Sequence, residues 1–297
     1  MITLTVLGSG ASIPTSQRSL SSYALSYEGK LFLFDCGEGT QRQLMNFSLS
    51  YAKINAIFIS HLHLDHFLGL FGLLQTIKLS GLNNKVLVFA PKEMKKFFDL
   101  FEVDPNIAQL VELNNKKNPI HTFKNLEFYA YPSKFHGNID SYIFFAKEKD
   151  KICFYEKKAK EMGLRGYLFR EIQKKGSIII NKKRIYLKDV SYIKKGKSIL
   201  YLGDGRHSTS LASKFKGVDL IIHDCTFDDS LEDLAKERFH STASMAANFA
   251  KKAQAKKLLL THISARYSKD PSILLNQAKK IFGESILAAD GLKIDLI

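Results

Sequence analysis

Within residues 57–69, three histidines and one aspartate fall inside six positions: His61, His63, Asp65 and His66. Neutral imidazole and carboxylate form the borderline ligand set that suits zinc, and two clusters of such groups can hold two ions around one water. A merely solvated loop does not explain four ligand-type side chains packed this closely between Phe58, Ile59, Leu62, Leu64 and Phe67. If the chain leaves the preceding strand still extended, its period of two places His61, His63 and Asp65 on one side and His66 on the other. Four residues are not a whole site, so partners must come from elsewhere.

The elements that would deliver those partners are strands. Residues 1–7 alternate like a strand, and residues 22–27 and 30–34 read as a hairpin across Glu28-Gly29. The second of these runs into Asp35-Cys36-Gly37-Glu38-Gly39, a glycine-rich turn ahead of a helix at about 40–47. An aspartate there could orient a ligand histidine from behind, or could cap the turn. Further strands are expected at 85–89, 126–132, 141–146, 197–202, 219–223, 257–260, 286–288 and 292–296, and helices at 69–79, 91–100, 243–252 and 272–282. The helix at 243–252 follows His240-Ser241-Thr242, which offers a hydroxyl cap. Strand after strand ends in a possible ligand: Asp35, His61, His136, Asp204, His223, His262. Alternating strands and helices imply layered α/β packing, which places its chemistry at strand ends. His136 alone would ordinarily be structural; the repeated address argues for the set.

Composition sets the surroundings. With 297 residues and 45% hydrophobic content, the chain can bury a sizeable core. The N-terminus lacks the basic start and apolar run of a signal peptide, and no stretch reaches membrane-spanning length. Cys36, Cys153 and Cys225 are odd in number and unpaired in spacing, against a disulfide framework or thiolate zinc site and in keeping with a reducing cytoplasm. The formal charge is +15, and residues 151–197 carry fifteen basic against four acidic side chains, a local balance of +11. Polyanions are drawn to such a segment, although a solvated face has the same composition. Ile178-Ile179-Ile180 and residues 184–187 flank Asn181-Lys182-Lys183 like a small hairpin, so the segment reads as an excursion from the core.

With these residues in hand, the sequence resembles the metallo-β-lactamase superfamily and, within it, the ribonuclease Z family of tRNA 3′-processing endonucleases. The resemblance runs over nearly the whole length. It rests on Leu7-Gly8-Ser9-Gly10 with Pro14, the 35–41 run, His61-x-His63-x-Asp65-His66, His136, Gly203-Asp204, the 223–226 block, His240-Ser241-Thr242, and His262 through Tyr267. The four-ligand motif specifies only the superfamily; the 35–41 run, the histidine-serine-threonine start and the 262–267 run are more specific. The resemblance implies a single domain over 1–297, a four-layer αβ/βα sandwich with a protruding basic arm at about 151–197. It implies two Zn²⁺ per subunit, with Mn²⁺ as the alternative: His61, His63 and His136 on one ion, Asp65, His66 and His262 on the other, Asp204 bridging.

The same resemblance makes Asp65 the general base as well as a ligand. It makes His240 the group that stabilises or protonates the departing 3′ oxygen, oriented by Asp224, with Asp35 behind a ligand histidine. It implies a precursor tRNA substrate, a 3′ hydroxyl on the tRNA, a 5′ phosphate on the trailer, and a homodimer. The arm would grip tRNA far from the cut through residues such as Lys157, Lys158, Arg165, Arg170, Lys174 and Lys175, by salt-sensitive phosphate contacts. The chain departs from the pattern at Gly166-Tyr167, where the family has glycine-proline, at Asp224 for glutamate, and at Gly205 for threonine. Two other classes share parts of this reading: a small-molecule hydrolase or phosphodiesterase of the same superfamily, which needs no basic arm, and a non-catalytic RNA-binding module, which would be expected to lose ligands.

Overall fold

In the computed structural model, which describes residues 1–82, 84–114, 118–133 and 139–297, the apolar run before the histidines forms strand Ile54–Phe58. Parallel strands flank it on both sides, Lys30–Phe34 and Val86–Ala90. Central parallel strands are covered on both faces, which is why these three read as continuous Ile, Leu, Val and Phe. The first seven-stranded sheet has the order Lys293–Leu296, Ile2–Gly8, Ser22–Tyr27, Lys30–Phe34, Ile54–Phe58, Val86–Ala90, Ala108–Glu112. The second runs Ser285–Leu287, Lys257–Thr261, Leu220–Asp224, Ser198–Tyr201, Ser141–Glu148, Leu126–Ser133, His121–Phe123.

The two sheets meet through aromatic rings. Phe58 lies 4.7 Å from Phe128 and 5.4 Å from Phe144 across the interface, and Phe34 lies 5.6 Å from Tyr201. Each fully buried phenylalanine contributes about 1.5–3 kcal/mol by leaving water. Helices cover the outer faces. Gly69–Leu79 lays Leu70, Leu73, Leu74 and Ile77 on the first sheet, a spacing that keeps one helical stripe inward. Ala243–Lys252 and Ser272–Ile281 cover the second with Ala246, Ala247, Phe249, Ala250, Leu274 and Ala278. Thr242 caps the first of these by accepting from the Met245 amide. The result is the helix–sheet–sheet–helix sandwich that the resemblance implies.

Residues 151–194 fold over a small core of their own, made of Ala159, Leu164, Ile172, Ile178, Ile185 and Val190. Its stem is a two-stranded ribbon, Lys151–Phe154 against Ser191–Lys194. Its hairpin pairs Ser177–Ile180 with Lys183–Tyr186, and Asn181 and Lys182 both have positive φ, 50° and 65°, as a two-residue primed turn requires. Lys183 therefore belongs to the strand rather than the turn, and Leu187 opens the helical turn Leu187–Val190 rather than ending the strand. Lys157, Lys158, Arg165, Arg170, Lys174 and Lys175 are all exposed on this segment. Lys175 is paired at 2.6 Å with Glu171.

The extended reading of the histidine motif is corrected. The strand stops at Phe58, and Leu64–Phe67 is a helical turn with His63 at its N-cap. On a helix, neighbouring residues project about 100° apart rather than to opposite sides, so His66 turns into the same space as His61 instead of away from it. Strands Ala108–Glu112 and His121–Phe123, at the edges of the two sheets, escape the sequence pattern because edge strands are short and half polar.

Candidate metal centre and active site

The ligand-type residues converge where strands of both sheets end. Asp35 follows Lys30–Phe34, His61 lies three residues past Ile54–Phe58, Asp204 three past Ser198–Tyr201, and His262 follows Lys257–Thr261. Asp35 and His262 have φ of 55° and 56°, the left-handed region that costs a non-glycine residue free energy and clusters at functional sites. Both are buried and held by hydrogen bonds.

Two clusters form. Asp65, His66, Asp204 and His262 each offer one atom, all within 4.8 Å of one another, and His61, His63 and Asp204 make a second set, so Asp204 is common to both. His66 Nε2 lies 3.0 Å and His262 Nε2 2.9 Å from Asp204 Oδ2. The far side of each ring is committed elsewhere. His66 Nδ1 is 2.6 Å from Asp35 Oδ2, and that carboxylate also accepts from the Ser60 amide and hydroxyl and from Tyr201. Behind His262, the Thr226 hydroxyl donates to Asp224 Oδ1 at 2.6 Å and so can only accept from His262 Nδ1 at 2.8 Å. With both Nδ1 atoms donating, the two Nε2 lone pairs point at a carboxylate oxygen, acceptor against acceptor.

That arrangement asks for a cation. Burial opposes a charge on either imidazole, yet Asp204 above all, with Asp35 and Asp65, raises His66 well above its ordinary value, and the same surroundings push His262 up to about 10. Burial likewise opposes ionisation of Asp204, but His262 and His66 hold it well below the usual carboxylate range. A divalent ion satisfies the carboxylates and the lone pairs together, so the residues present fit a metal centre.

A cleft of about 540 Å³ opens onto this centre, lined by His63, Asp204, Phe227, Arg238, His240 and Arg266, among others. His240 sits on it with Nδ1 3.0 Å from Asp224 Oδ2 and its ring stacked 5.1 Å from His262. Asp224 is fully buried and accepts from five donors: the Gly205, Thr226 and Ser241 amides, the Thr226 hydroxyl and His240. Against the cost of burial, His240 and the neighbouring groups lower it to about 2. The aspartate thus reaches His240 directly at this length of side chain. Gly205 stands at φ 138°, a conformation that threonine rarely adopts, so the backbone of the Asp204 loop is itself the reason for glycine there.

Of the residues singled out in the sequence, His61, His63, Asp65, His66, Asp204 and His262 come together, with Asp35 and Asp224 behind them and His240 beside them. His136 lies outside the described residues. His223 turns away: its Nδ1 meets the Asp224 carbonyl at 2.8 Å and its ring packs on Phe249. Ser60, Tyr201, Thr226 and the Ser12 amide, which donates to Asp65 Oδ2 at 2.9 Å, were not foreseen. Only Thr226, next to the Asp224-Cys225 strand end, carried a local signal.

The sandwich and its shared-carboxylate histidine cluster define a protein of the metallo-β-lactamase class. A family model described as Beta-lactamase superfamily domain matches residues 187–263, and one described as Anti-Pycsar protein Apyc1 matches residues 2–102. Among similar proteins, Ribonuclease Z of Picrophilus torridus is 38% identical over 300 residues, covering 99% of this chain and 95% of its own. Ribonuclease Z of Archaeoglobus fulgidus is 34% identical over 298 residues, covering 99% and 97%. Human tRNase Z, short form, superposes with a TM-score of 0.69 at 29% identity, covering 99% of this chain and 98% of its own. The chain belongs to the ribonuclease Z family.

Proposed function

We propose that this chain is a metal-dependent endoribonuclease that removes the 3′ trailer from precursor tRNA, leaving a 3′ hydroxyl on the tRNA and a 5′ phosphate on the trailer. The observation that carries the reading is the pair of imidazole–carboxylate clusters sharing Asp204, in a chain aligned end to end with ribonuclease Z proteins. The donor set favours two Zn²⁺, one on His61, His63 and Asp204 together with His136, the other on Asp65, His66, His262 and Asp204, with Mn²⁺ the alternative for such nitrogen and oxygen ligands.

Two ions held by these residues would supply Lewis acidity, lowering the pKa of the attacking water and neutralising charge on the phosphoryl oxygens. The rest falls to the chain. Asp65, kept ionised by His66 and His262 against its burial, takes the proton of the attacking water. His240 donates to the departing 3′ oxygen, and Asp224 holds the imidazole by its Nδ1 so that Nε2 faces the cleft. Asp35 fixes His66 by the same device.

The single-domain reading with an inserted arm at about 151–197 is supported by the separate small core of that segment and its exposed lysines and arginines, which suit contacts to tRNA phosphates. A homodimer is supported by exposed apolar side chains on helix Thr40–Asn46 and at the ends of two others, Met45, Leu68 and Phe101, the last stacked 4.3 Å from Phe71. No helix among the described residues is long and apolar enough to cross a membrane; the free thiols suit the cytoplasm.

The test is a precursor tRNA with a 3′ trailer incubated with the protein, with and without chelator, and with Asp65→Ala. Cleavage after the discriminator base by the wild type alone, abolished by chelator and restored by Zn²⁺, is the expected result. A wild type that leaves the precursor intact overturns the reading.

A further inference from the structure

The loop that carries Asp204 into the metal cluster continues through Gly205 to Arg206 and His207, and these two line a second cavity of about 520 Å³. Thr209, Asn248, Lys251 and Lys252 complete its polar lining, and none of the described residues that line it is acidic. Arg206 reaches Glu232 only at 3.4 Å through Nη2, while its Nη1 is buried with no hydrogen-bond partner among the described residues. Lys251 and Lys252 form no salt bridge among the described residues. Three cations, a hydroxyl and an amide thus converge on one concavity, with Glu232 the one carboxylate paired to any of them among the described residues.

The position of the lysines in the last turn of helix Ala243–Lys252 has an ordinary explanation, since cations there offset the helix dipole. It does not account for Arg206. A guanidinium N–H is a strong donor that proteins do not leave buried and unpaired without a reason, and its planar fork matches phosphate oxygens. The pocket is also tied to the cleft. Glu232, the partner of Arg206, begins helix Glu232–Glu237, and Leu234 of that helix and Arg238 just beyond it line the cleft with His63, Asp204 and His240. Arg206 is two residues past Asp204, a backbone reach of at most ~7 Å.

We propose that this pocket is a second phosphate site, binding a backbone phosphate of the same RNA strand that enters the cleft, so that Arg206, Lys251 and Lys252 set the register of that strand. The inference rests on the endoribonuclease reading. The phosphate could belong to the trailer or to the acceptor end of the tRNA, and the two sources separate experimentally.

The experiment compares the zinc-loaded wild type with Lys251→Gln/Lys252→Gln, neither residue belonging to the cleavage machinery, on a precursor with a long trailer, a precursor with a one-nucleotide trailer, and mature tRNA as a binding ligand. Loss of both lysine contacts to that phosphate should raise KM about three- to tenfold at physiological salt with kcat unchanged, and should flatten the slope of log affinity against log salt by about 0.7–0.9. An effect confined to the long trailer assigns the phosphate to the trailer; an equal effect on all three RNAs assigns it to the acceptor end. If the wild type cuts the precursor while KM and salt slope of the folded variant match it on every RNA, the pocket is no phosphate site. A wild type that cuts nothing overturns the functional reading itself, and this proposal with it.

Discussion

Asp35 Oδ2 and His66 Nδ1 lie 2.6 Å apart with neither side chain exposed to solvent. The carboxylate holds the ring so that Nε2 faces Asp204, and its negative charge makes that nitrogen a better ligand. Asp35→Asn keeps the shape and removes the charge. Metal affinity should fall about 10–100-fold, the usual cost of losing such a partner, read by competition with a chromophoric chelator. Unchanged affinity in a folded variant would show that Asp35 only caps its turn.

His240 and Asp224 make the parallel pair on the other side of His262, 3.0 Å apart. If His240 donates the proton to the leaving 3′ oxygen, His240→Ala should lower kcat by about 10²–10⁴ while leaving KM and bound metal near wild type. The loss should shrink on a nitrophenyl phosphodiester, whose leaving group needs no proton. A fall in metal content would instead make His240 a ligand, and equal losses on both substrates would make it a structural support.

The legible part of this site was the part whose chemistry needs particular side chains at short spacing. His61, His63, Asp65 and His66 announce themselves, and Asp204 and His262 are recognisable because they repeat the same address after a strand. Hydrophobic runs gave the central strands well, since burial on both faces leaves no alternation to misread. What stayed hidden depends on contacts between distant segments. Tyr201 meets Asp35 across 166 residues with nothing local to mark it, and Thr226, although it stands beside a marked strand end, meets His262 across 36. The helical turn at Leu64–Phe67 was hidden because four residues are too few for a period.

Away from the metal cluster, Asp228 offers a test of stability against pH. Its buried carboxylate accepts from Ser230 and from Tyr267 at 2.6 Å. Burial alone would raise it, but these bonds and the Arg266 charge hold it below its ordinary value. A depressed carboxylate contributes stability that is fully present above its unfolded value of about 3.9 and is lost as pH falls through the folded value. Asp228→Asn should therefore be less stable than wild type by a constant margin from pH 5 to 7, with the margin closing below about pH 4. Denaturant midpoints across that range measure it; a margin that persists at pH 3 would assign the effect to packing rather than charge.

The turn that carries Asp65 and His66 is locked to the loop that carries Asp35 by two glycines. A Cβ on Gly69 would lie 2.0 Å from the Gly37 carbonyl oxygen, and one on Gly37 would lie 2.3 Å from the Asp65 carbonyl oxygen. The Cys36 amide donates to the His66 carbonyl at 2.7 Å in the same place. No side chain can yield there, because the obstacle is backbone. Gly69→Ala must push the ligand turn away from Asp35, at a cost of about 1–3 kcal/mol for an overpacked site, and it should weaken metal binding along with the fold. Gly72, one turn further along the same helix, makes the contrast. Its nearest foreign atom is Gln41 Oε1 at 3.4 Å, so Gly72→Ala should gain about 0.5–1 kcal/mol from helix propensity. Melting temperatures that move in opposite directions, with metal affinity lost only at position 69, would tie the close backbone approach to the geometry of the metal centre; equal shifts would separate them.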